Sequence, residues 1–414
     1  MTKKKTVPVG IVAAVLSTAA FAQQGPVPRG VPHLDHVLVI MMENHGYTQV
    51  MHNPNAPFIN AYARTANLAT NYFAVAHPSL TNYLEVVGGS NFGVLDDNSP
   101  DWHNGACQPN LVSGNTNWES TTTPICPIRR EGTDAATPAI DYTNETQGPP
   151  GTINIDGTRS YPANPNTVGM NLADQLVAAG KTWKSYQESL PVVGANKIDY
   201  SDGFFTNLTD FTKINPQQNP PLSSGDIVQL YASKHNPFVY FASGETSASL
   251  ANVVGFDGSG GLYADLQSGK VPNFAFIAPN QCNDQHGRGN STAFCNYDPN
   301  DNGTQAGLNP ALIRQGDITV EKLVAAVHNS PIWSRGNTAL VLVWDENDYS
   351  LSPNINRVIT VVDTNYGFKA VQSGNFYTHF SLLKTMEAGF GVGCLNHACD
   401  ADTAVMSDLF GTAR

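Results

Sequence analysis

The segment around Ser79 could supply a nucleophile. It reads His77-Pro78-Ser79-Leu80-Thr81-Asn82-Tyr83-Leu84 and so combines hydroxyl, imidazole and amide groups. Residues 71–76 before it are apolar and aromatic, which predicts a buried strand, and the apolar residues after it recur at helical spacing up to Gly88-Gly89. A phosphate on Ser79 would then meet free backbone N–H groups and the positive end of the helix dipole. The alternative is that Ser79 only caps the helix.

Carboxylates and imidazoles that could bind a metal follow three predicted strands. Residues 36–42 run into Glu43-Asn44-His45, residues 273–277 into the polar segment 280–286, and residues 338–344 into Asp345-Glu346-Asn347-Asp348. In open α/β sheets, ligands bind outside the carboxyl ends of the strands. Each carboxylate alone could be a surface or capping residue, but together they favour a site for Zn²⁺, Mn²⁺, Mg²⁺ or Ca²⁺. Such a cation would lower the pKa of the Ser79 hydroxyl, which is otherwise a weak nucleophile.

Further imidazoles could complete this site. His379 precedes a predicted helix that carries Phe380, Leu383 and Met386 on its buried face, so it either joins the site or caps that helix. His77 and the pair Lys234-His235 are candidates for holding phosphate.

The elements that must position these residues alternate along the chain. Strands are predicted at 36–42, 71–76, 182–186, 238–241, 273–277, 338–344 and 357–362, and helices at 57–66, near 170–179, near 225–233, near 260–267, around 318–328 and from 379 onward. This alternation predicts an α/β fold with one doubly wound, mostly parallel sheet flanked by helices. Residues 92–167 read as a loop-rich insertion that shapes access to the site. We expect a single domain over residues 34–414 after a linker at 23–33.

The amino-terminal residues and the cysteines indicate an exported protein. Residues 1–22 combine three lysines, an apolar run and Ala20-Phe21-Ala22, which predicts a cleavable secretory signal leading to the periplasm or the medium. The apolar run is too short for a stable membrane anchor. Six cysteines form three near-neighbour pairs, Cys107 with Cys126, Cys282 with Cys295, and Cys394 with Cys399. Disulfides are the interpretation for an exported chain, and a thiolate metal site is the alternative.

The formal net charge of -12 at pH 7 restricts the partners. Because an acidic chain repels polyanions, nucleic acid and anionic membrane surfaces are poor candidate partners. We expect a small phosphate ester as the substrate, with a phospholipid headgroup as a second possibility, and the sequence leaves the oligomeric state open.

Taken in order, these motifs resemble the bacterial and fungal phosphoesterase family. The motifs are Glu43-Asn44-His45, His77-Pro78-Ser79-Leu80-x-Asn82-Tyr83, His235-Asn236-Pro237-Phe238, Asp284-x-His286, Asp345-Glu346 and Tyr377-x-His379-x-Ser381-Leu382-Leu383. The resemblance spans roughly residues 34–390. The family contains acid phosphatases and phospholipases C and belongs to the alkaline phosphatase superfamily, so the resemblance implies an alkaline phosphatase-like fold.

The resemblance also implies a role for each motif. Ser79 matches the nucleophile, and Asn82 matches the amide that holds a phosphoryl oxygen. The ligands of the metal next to the nucleophile match Glu43, Asn44, Asp345 and Glu346. Those of the superfamily's other metal site match Asp284, His286 and His379, although in some family members such residues bind phosphate beside a single metal. The family often has Pro where this chain has Thr81, which places a second hydroxyl beside Ser79 as a fallback nucleophile or phosphate contact.

We therefore expect a metal-dependent phosphoric ester hydrolase of the acid phosphatase type, working through a phosphoserine. A phospholipase C-type phosphodiesterase is the second hypothesis. It is less favoured because residues 1–22 lack the Arg-Arg pair, and the chain lacks the extra carboxyl-terminal domains, that such phospholipases commonly carry. A third hypothesis is a non-catalytic extracellular binding protein that retains a structural metal. A metal-free serine esterase is disfavoured because no G-x-S-x-G motif surrounds Ser79.

Overall fold

A mixed, mostly parallel β-sheet forms the centre of the molecule. The computed structural model describes residues 24–94, 97, 100, 128, 130–132, 152–154, 160–164, 166–190, 193–196, 231–286, 310–347 and 356–411. Its strands are β1 His36–Met42, β2 Asn67–Phe73, β3 Arg130–Gly132, β4 Thr152–Asn154, β5 Ser160–Pro162, β6 Thr167–Gly169, β7 Trp183–Gln187, β8 Val253–Val254, β9 Phe274–Ala278, β10 Thr338–Trp344, β11 Arg357–Thr364, β12 Gln372–Ser373 and β13 Tyr377–Thr378.

The order of the strands brings the polar segments to one edge. The central sheet runs β12-β2-β11-β10-β1-β9-β7-β8, with β13 paired to β2. Among these described strands only β11 runs against the others, pairing antiparallel with both β10 and β2. Strands β1, β9 and β10 are buried almost throughout, as strands covered on both faces must be. The carboxyl ends of β1, β2, β7, β9, β10 and β13 therefore lie at the same edge.

Helices flank this sheet. The α-helices are α1 Tyr47–Val50, α2 Pro57–Thr65, α3 Ser79–Gly88, α4 Leu172–Ala178, α5 Ser247–Leu250, α6 Leu262–Ser268, α7 Pro310–His328, α8 His379–Phe390 and α9 Ser407–Phe410, and 3-10 turns occur at Ser233–His235, Pro237–Tyr240, Ala242–Glu245, Pro331–Ser334 and Asn396–Cys399. Helix α3 packs against α8 and α4, while α2 packs against α7. The predicted α/β class is confirmed.

The predicted strand at residues 238–241 is wrong. Pro237 begins a 3-10 turn there, and Phe238 packs edge-on or tilted against Trp183, Phe274 and Phe276. A four-residue apolar run has the same composition whether it packs as a strand or as a turn against a sheet face. Strand β2 also begins and ends earlier than predicted, at Asn67–Phe73. Most of the helix predicted near 225–233 lies outside the described residues.

The two ends of the domain contact each other. Cys394 and Cys399 form the predicted disulfide, with their Cα atoms 5.2 Å apart. Gly25 lies against both sulfurs, where a Cβ would clash, and its N–H donates to the carbonyl of Cys394 at 2.9 Å. This part of the predicted linker is therefore docked. Cys282 is disulfide-bonded, and the other cysteines of the predicted pairs lie outside the described residues.

Most of the predicted insertion at 92–167, and the predicted signal at 1–22, lie outside the described residues. Among the helices that the structure describes, none combines the length and the apolar character needed to cross a membrane.

Candidate active site

Parallel strand ends bring three polar segments into direct contact. Residues Met42 and Trp344 are paired in the sheet, so Glu43 and Asp345 leave it side by side. The N–H of Asp345 donates to the carbonyl of Met42 and the N–H of Glu43 to the carbonyl of Asp284, both at 2.9 Å. The edge of the sheet thus holds the carboxylates together through backbone hydrogen bonds.

Ser79 is the first residue of helix α3 and is almost completely buried. Its hydroxyl does not cap the helix. The Oγ atom lies 3.1 Å from Oε2 of Glu43 and 3.2 Å from Oε1 of Glu346, either of which can accept its proton, and Lys234 Nζ donates to it at 3.3 Å. A hydroxyl placed between carboxylates and an ammonium group at a helix start has the environment of an activated nucleophile.

Two polar residues, His77 and Asn82, fix the carboxylate of Glu346 beside Ser79. His77 Nδ1 lies 2.7 Å from Glu346 Oε2, and Asn82 Nδ2 donates to the same oxygen at 3.2 Å. The side-chain oxygen of Asn82 accepts from the N–H groups of Val75 and Ala76. Asn82 therefore ties helix α3 to the loop that leads into it, and the described contact of His77 is with Glu346 rather than with Ser79.

A group of three residues has the geometry of a metal site. Glu43, His235 and His286 offer ligand atoms that all lie within 4.8 Å of one another. His235 lies between two carboxylates, with Nε2 2.9 Å from Glu43 and Nδ1 3.3 Å from Asp284. The prediction separated these residues, assigning Glu43 and His286 to different metals and His235 to phosphate, whereas the structure brings them together.

The electrostatics of this group follow from burial and proximity. Burial opposes the charged forms of Glu43 and His235, but the attraction between these two groups is stronger. It lowers the pKa of Glu43 and raises the pKa of His235 to about 9. Burial raises the pKa of Asp284 to about 7. Burial and the neighbouring Lys234 hold the pKa of His286 well below its usual range, so that imidazole is neutral. A neutral imidazole is the form that binds a metal, so His286 is ready to bind one, whereas a metal would have to displace a proton from His235.

Unpaired oxygens extend this group along the sheet edge. Among the described residues, Asn44 Oδ1 and Asp345 Oδ2 are buried without a hydrogen-bond partner. Asn44 has a φ of 50°, a left-handed conformation that Asn tolerates, and its N–H donates to the other oxygen of Asp345 at 3.1 Å. Burial and the adjacent Glu43 and Glu346 raise the pKa of Asp345 well above its usual range. A divalent cation would offset this repulsion, so the residues present fit a metal site.

Two of the predicted site residues are placed differently by the structure. Both ring nitrogens of His379 are engaged, Nε2 with the carbonyl of Asp345 at 2.6 Å and Nδ1 with the hydroxyl of Tyr72 at 3.0 Å. His379 therefore supports the backbone beside the site rather than pointing a free nitrogen into it. The hydroxyl of Thr81 donates to the carbonyl of Pro78 at 2.6 Å, in the first turn of α3, so it is not directed at a phosphate.

Lys234, one of the residues predicted to hold phosphate, lies beside the nucleophile. Besides Ser79, its Nζ contacts Nε2 of His286 at 3.0 Å and Oδ2 of Asp97 at 3.1 Å. Burial opposes the ammonium form, but Asp97 and the surrounding carboxylates raise the pKa of Lys234. Lys234 is therefore a fixed positive charge beside the nucleophile.

Four residues that shape the site were not predicted from the sequence as site residues. Tyr83 stacks on His235 with ring centroids 5.2 Å apart, and its place four residues after Ser79 on one helix was an available signal. Gln285, with a φ of 82°, accepts from Trp344 Nε1 at 3.0 Å. Glu188 accepts from the N–H of Asn280 and the amide of Asn283, which holds the loop before Asp284. Asp97 lies in the predicted insertion, where no sequence pattern marked it.

The sequence of this chain matches a phosphoesterase family and is similar to known phosphatases. The model of the Phosphoesterase family matches residues 48–297, more than half of the chain. A phosphatidylinositol-3-phosphatase of Mycobacterium tuberculosis is 23% identical over 410 residues, covering 97% of this chain and 93% of that protein. An acid phosphatase of Aspergillus fumigatus is 25% identical over 86% of this chain, and a phosphate-repressible acid phosphatase of Penicillium chrysogenum is 23% identical over 87%. The chain spans only 55% and 60% of the lengths of these two fungal relatives.

Solved structures are more distant. A Vibrio parahaemolyticus protein of the alkaline phosphatase superfamily aligns with a TM-score of 0.44 at 10% identity, over 92% of this chain and 72% of that one. A phosphonate monoester hydrolase of Agrobacterium radiobacter aligns with the same TM-score and identity, over 92% and 78% of the two chains.

Proposed function

The chain belongs to the Phosphoesterase family and is a hydrolase of phosphate esters, and from that premise we propose that it is a metal-dependent phosphomonoesterase of the acid phosphatase type. One observation carries the proposal. The buried hydroxyl of Ser79 lies at a helix start, between the carboxylates of Glu43 and Glu346 and the ammonium group of Lys234. Helix starts favour phosphate, and an ammonium group neutralises its charge. The acid phosphatase relatives support this choice of substrate class.

The residues that would hold the proposed metal already lie together. Glu43, His235 and His286 would hold it, with the unpaired oxygens of Asn44 and Asp345 as further donors. Two imidazoles with carboxylate oxygens suit Zn²⁺, and the oxygen donors also suit Mn²⁺, Mg²⁺ or Ca²⁺. A bound divalent ion supplies a Lewis acid beside Ser79 that stabilises negative charge on the phosphoryl group.

The residues of the chain then carry out two displacements. Ser79 Oγ attacks phosphorus, its proton passes to Glu346, and the bond to the ester oxygen breaks, with that oxygen taking a proton from water and leaving hydroxide. Lys234 faces the phosphoryl oxygens. A water molecule next attacks the phosphoserine and gives up a proton to the hydroxide left by the first displacement. The Oγ–phosphorus bond breaks, Ser79 takes back its proton from Glu346, and inorganic phosphate leaves.

A comparison of substrates tests the proposal. The purified chain is assayed on a chromogenic phosphomonoester, its phosphodiester counterpart, a phosphocholine ester and phosphatidylinositol 3-phosphate, with and without each added metal. We expect metal-stimulated turnover of the monoesters and little turnover of the diester. A preference for the diester or the phosphocholine ester would favour a phospholipase C-type enzyme, and no turnover at all would favour a binding protein.

We also propose that the chain is exported and processed. The basic and apolar pattern of residues 1–22 and the disulfide between Cys394 and Cys399 support export. Mass spectrometry of the protein from culture fractions tests this, because cleavage after Ala22 should leave Gln23 as the first residue. An uncleaved chain that stays with the cytosolic fraction would contradict it.

A further inference from the structure

Asp97 occupies the place beside Ser79 where a phosphoryl group would be expected. One of its carboxylate oxygens accepts from the N–H of Leu80 at 3.0 Å, and the other accepts from Lys234 Nζ at 3.1 Å. Leu80 is the second residue of helix α3, so its N–H is one of those at the helix start that bind anions. The same Lys234 Nζ lies 3.3 Å from Ser79 Oγ. Two anion donors next to the nucleophile are therefore occupied by a carboxylate of the protein itself.

We propose that Asp97 competes with phosphate for these donors, so that a substrate must displace the Asp97 carboxylate before Ser79 can attack. This inference rests on the proposed function, since it concerns the same site. It deepens that function by assigning to the insertion a residue that sets how tightly the phosphoryl group binds.

The burial of the two partners shows which one can move. The side chain of Lys234 is 2% exposed, whereas that of Asp97 is 16% exposed. Lys234 is also held by His286, so it stays in place while Asp97 can leave toward solvent. Neighbouring anions stabilise this buried ammonium group, and in addition to Glu43 and Glu346 either Asp97 or a phosphoryl group can supply one.

A carboxylate and a phosphoryl group cannot both fill this position. A phosphoryl group bonded to or approaching Ser79 Oγ brings two or three anionic oxygens next to Lys234, where Asp97 would add like-charge repulsion. Returning Asp97 to the two donors after hydrolysis would correspondingly favour release of the product.

Equilibrium binding of inorganic phosphate to the metal-loaded protein tests the proposal, by titration calorimetry. The variant Asp97→Asn keeps an oxygen for the N–H of Leu80 but loses the charge, and Asp97→Ala removes the group. We expect both to bind phosphate about tenfold more tightly than wild type, because a partly buried ion pair no longer has to be broken. The matched control is Asp265→Asn, which breaks the Lys184–Asp265 ion pair elsewhere in the fold and should leave phosphate affinity unchanged.

The opposite result would overturn the proposal. If Asp97 instead holds Lys234 in a productive position, Asp97→Asn and Asp97→Ala will bind phosphate equally or more weakly. A structure of the wild-type protein with phosphate needs no variant: Asp97 should have left both Leu80 and Lys234, and phosphate bound with Asp97 still in place would refute the idea.

These outcomes are independent of the proposed activity. Tighter phosphate binding by the Asp97 variants of a protein that hydrolyses no ester would support the competition while refuting the proposed function. Ester turnover by the wild-type protein, together with unchanged or weaker phosphate binding by the Asp97 variants, would support the proposed function while refuting the competition.

Discussion

At the scale of single residues, the environment of Ser79 distinguishes it from the neighbouring hydroxyl of Thr81. Ser79 Oγ contacts two carboxylates and an ammonium group, while the Thr81 hydroxyl is directed at a backbone carbonyl. Ser79→Ala should therefore leave a folded protein whose turnover of a phosphomonoester falls by several orders of magnitude. Thr81→Ala is the control and should stay within about tenfold of wild type, since it removes only a local hydrogen bond.

Steady-state rates and circular dichroism of both variants decide this prediction. The reverse order of effects, with Thr81→Ala the more damaging, would move the nucleophile to Thr81. A small effect of both substitutions would assign the attack to water.

Glu43 connects the nucleophile to the proposed metal group. One of its oxygens lies beside Ser79 and the other beside His235. Glu43→Gln keeps the shape but removes the charge, so we expect bound metal to fall below half of the wild-type stoichiometry and turnover to fall with it. Elemental analysis of purified protein measures the bound metal, and Asp265→Asn is a control that should keep its metal. Full metal content in Glu43→Gln would exclude Glu43 as a ligand.

The residue types at the strand ends indicated most of the residues that meet in this candidate site, but not which of them lie within reach of the same metal ion. Carboxylates and imidazoles beyond β1, β9 and β10 were found because strand ends converge in an α/β sheet. That His235 joins Glu43 and His286 depends on a 3-10 turn at Ser233–His235 whose position no periodicity indicates. Asp97 was missed because a single carboxylate in a loop-rich segment has no pattern to mark it.

At the scale of elements, helix α7 supports the loop that carries Asp284 and His286. Between them, Gln285 donates to the carbonyl of Ile313 at 3.1 Å and accepts from Trp344. The helix has Gly316 at the contact, where an added Cβ would lie 2.3 Å from the Gln285 side chain. Because both Nε2 and Oε1 of the Gln285 amide are hydrogen-bonded, the side chain cannot move aside without losing these hydrogen bonds.

Gly316→Ala should therefore destabilise the protein despite the better helix propensity of Ala. Propensity favours Ala by about 1 kcal/mol, but overpacking costs about 1–3 kcal/mol. We expect a lower melting temperature together with weaker metal binding, because the displaced loop carries His286. Gly374→Ala, at a position with nothing within 4 Å, is the control. A variant as stable and as metal-loaded as wild type would show that this contact does not hold the loop.

Elements with long apolar runs were predicted with correct bounds, and short ones were not. Strands β1 and β10 were predicted residue by residue because seven consecutive apolar or nearly apolar positions fit a strand buried on both faces. The run at 238–241 was assigned to a strand, but tertiary packing on Trp183 and Phe276 makes it a 3-10 turn. Local composition does not encode such packing.

At the scale of the whole molecule, the sheet order determines which distant segments meet, and the alternating pattern did not specify it. The pattern predicted a mostly parallel sheet, but not that β11 inserts antiparallel between β10 and β2. Strand β11 thus separates β2 from β10, but the loop after β2 and the first turn of α3 still reach Glu346, through His77 and Asn82 respectively. Strand order depends on long-range contacts that a single sequence does not display.

Burial of a carboxyl group that contacts none of the described site residues predicts a pH-dependent contribution to the stability of the fold. Glu387, in helix α8, is fully buried, with one oxygen accepting from the N–H of Leu395 at 2.8 Å and the other without a partner among the described residues. Burial raises the pKa of Glu387 well above its usual value of about 4.5. Since Glu387 then holds its proton in the native state at pH values where the unfolded state has lost it, its contribution to stability is largest at low pH and falls as the pH rises from about 4.5 toward the native pKa.

Glu387→Gln should remove this loss, because Gln keeps the oxygen for Leu395 and carries no proton to release. Across that pH range, the unfolding free energy of the variant should rise relative to wild type by up to about 1.4 kcal/mol per pH unit. Urea unfolding at pH 5, 6, 7 and 8, at constant metal concentration, measures the difference. The control Glu321→Gln, at an exposed position of α7, should show a constant difference from wild type. A difference for Glu387→Gln that is constant with pH, or that shrinks as the pH rises, would mean that Glu387 does not hold a proton in the native protein.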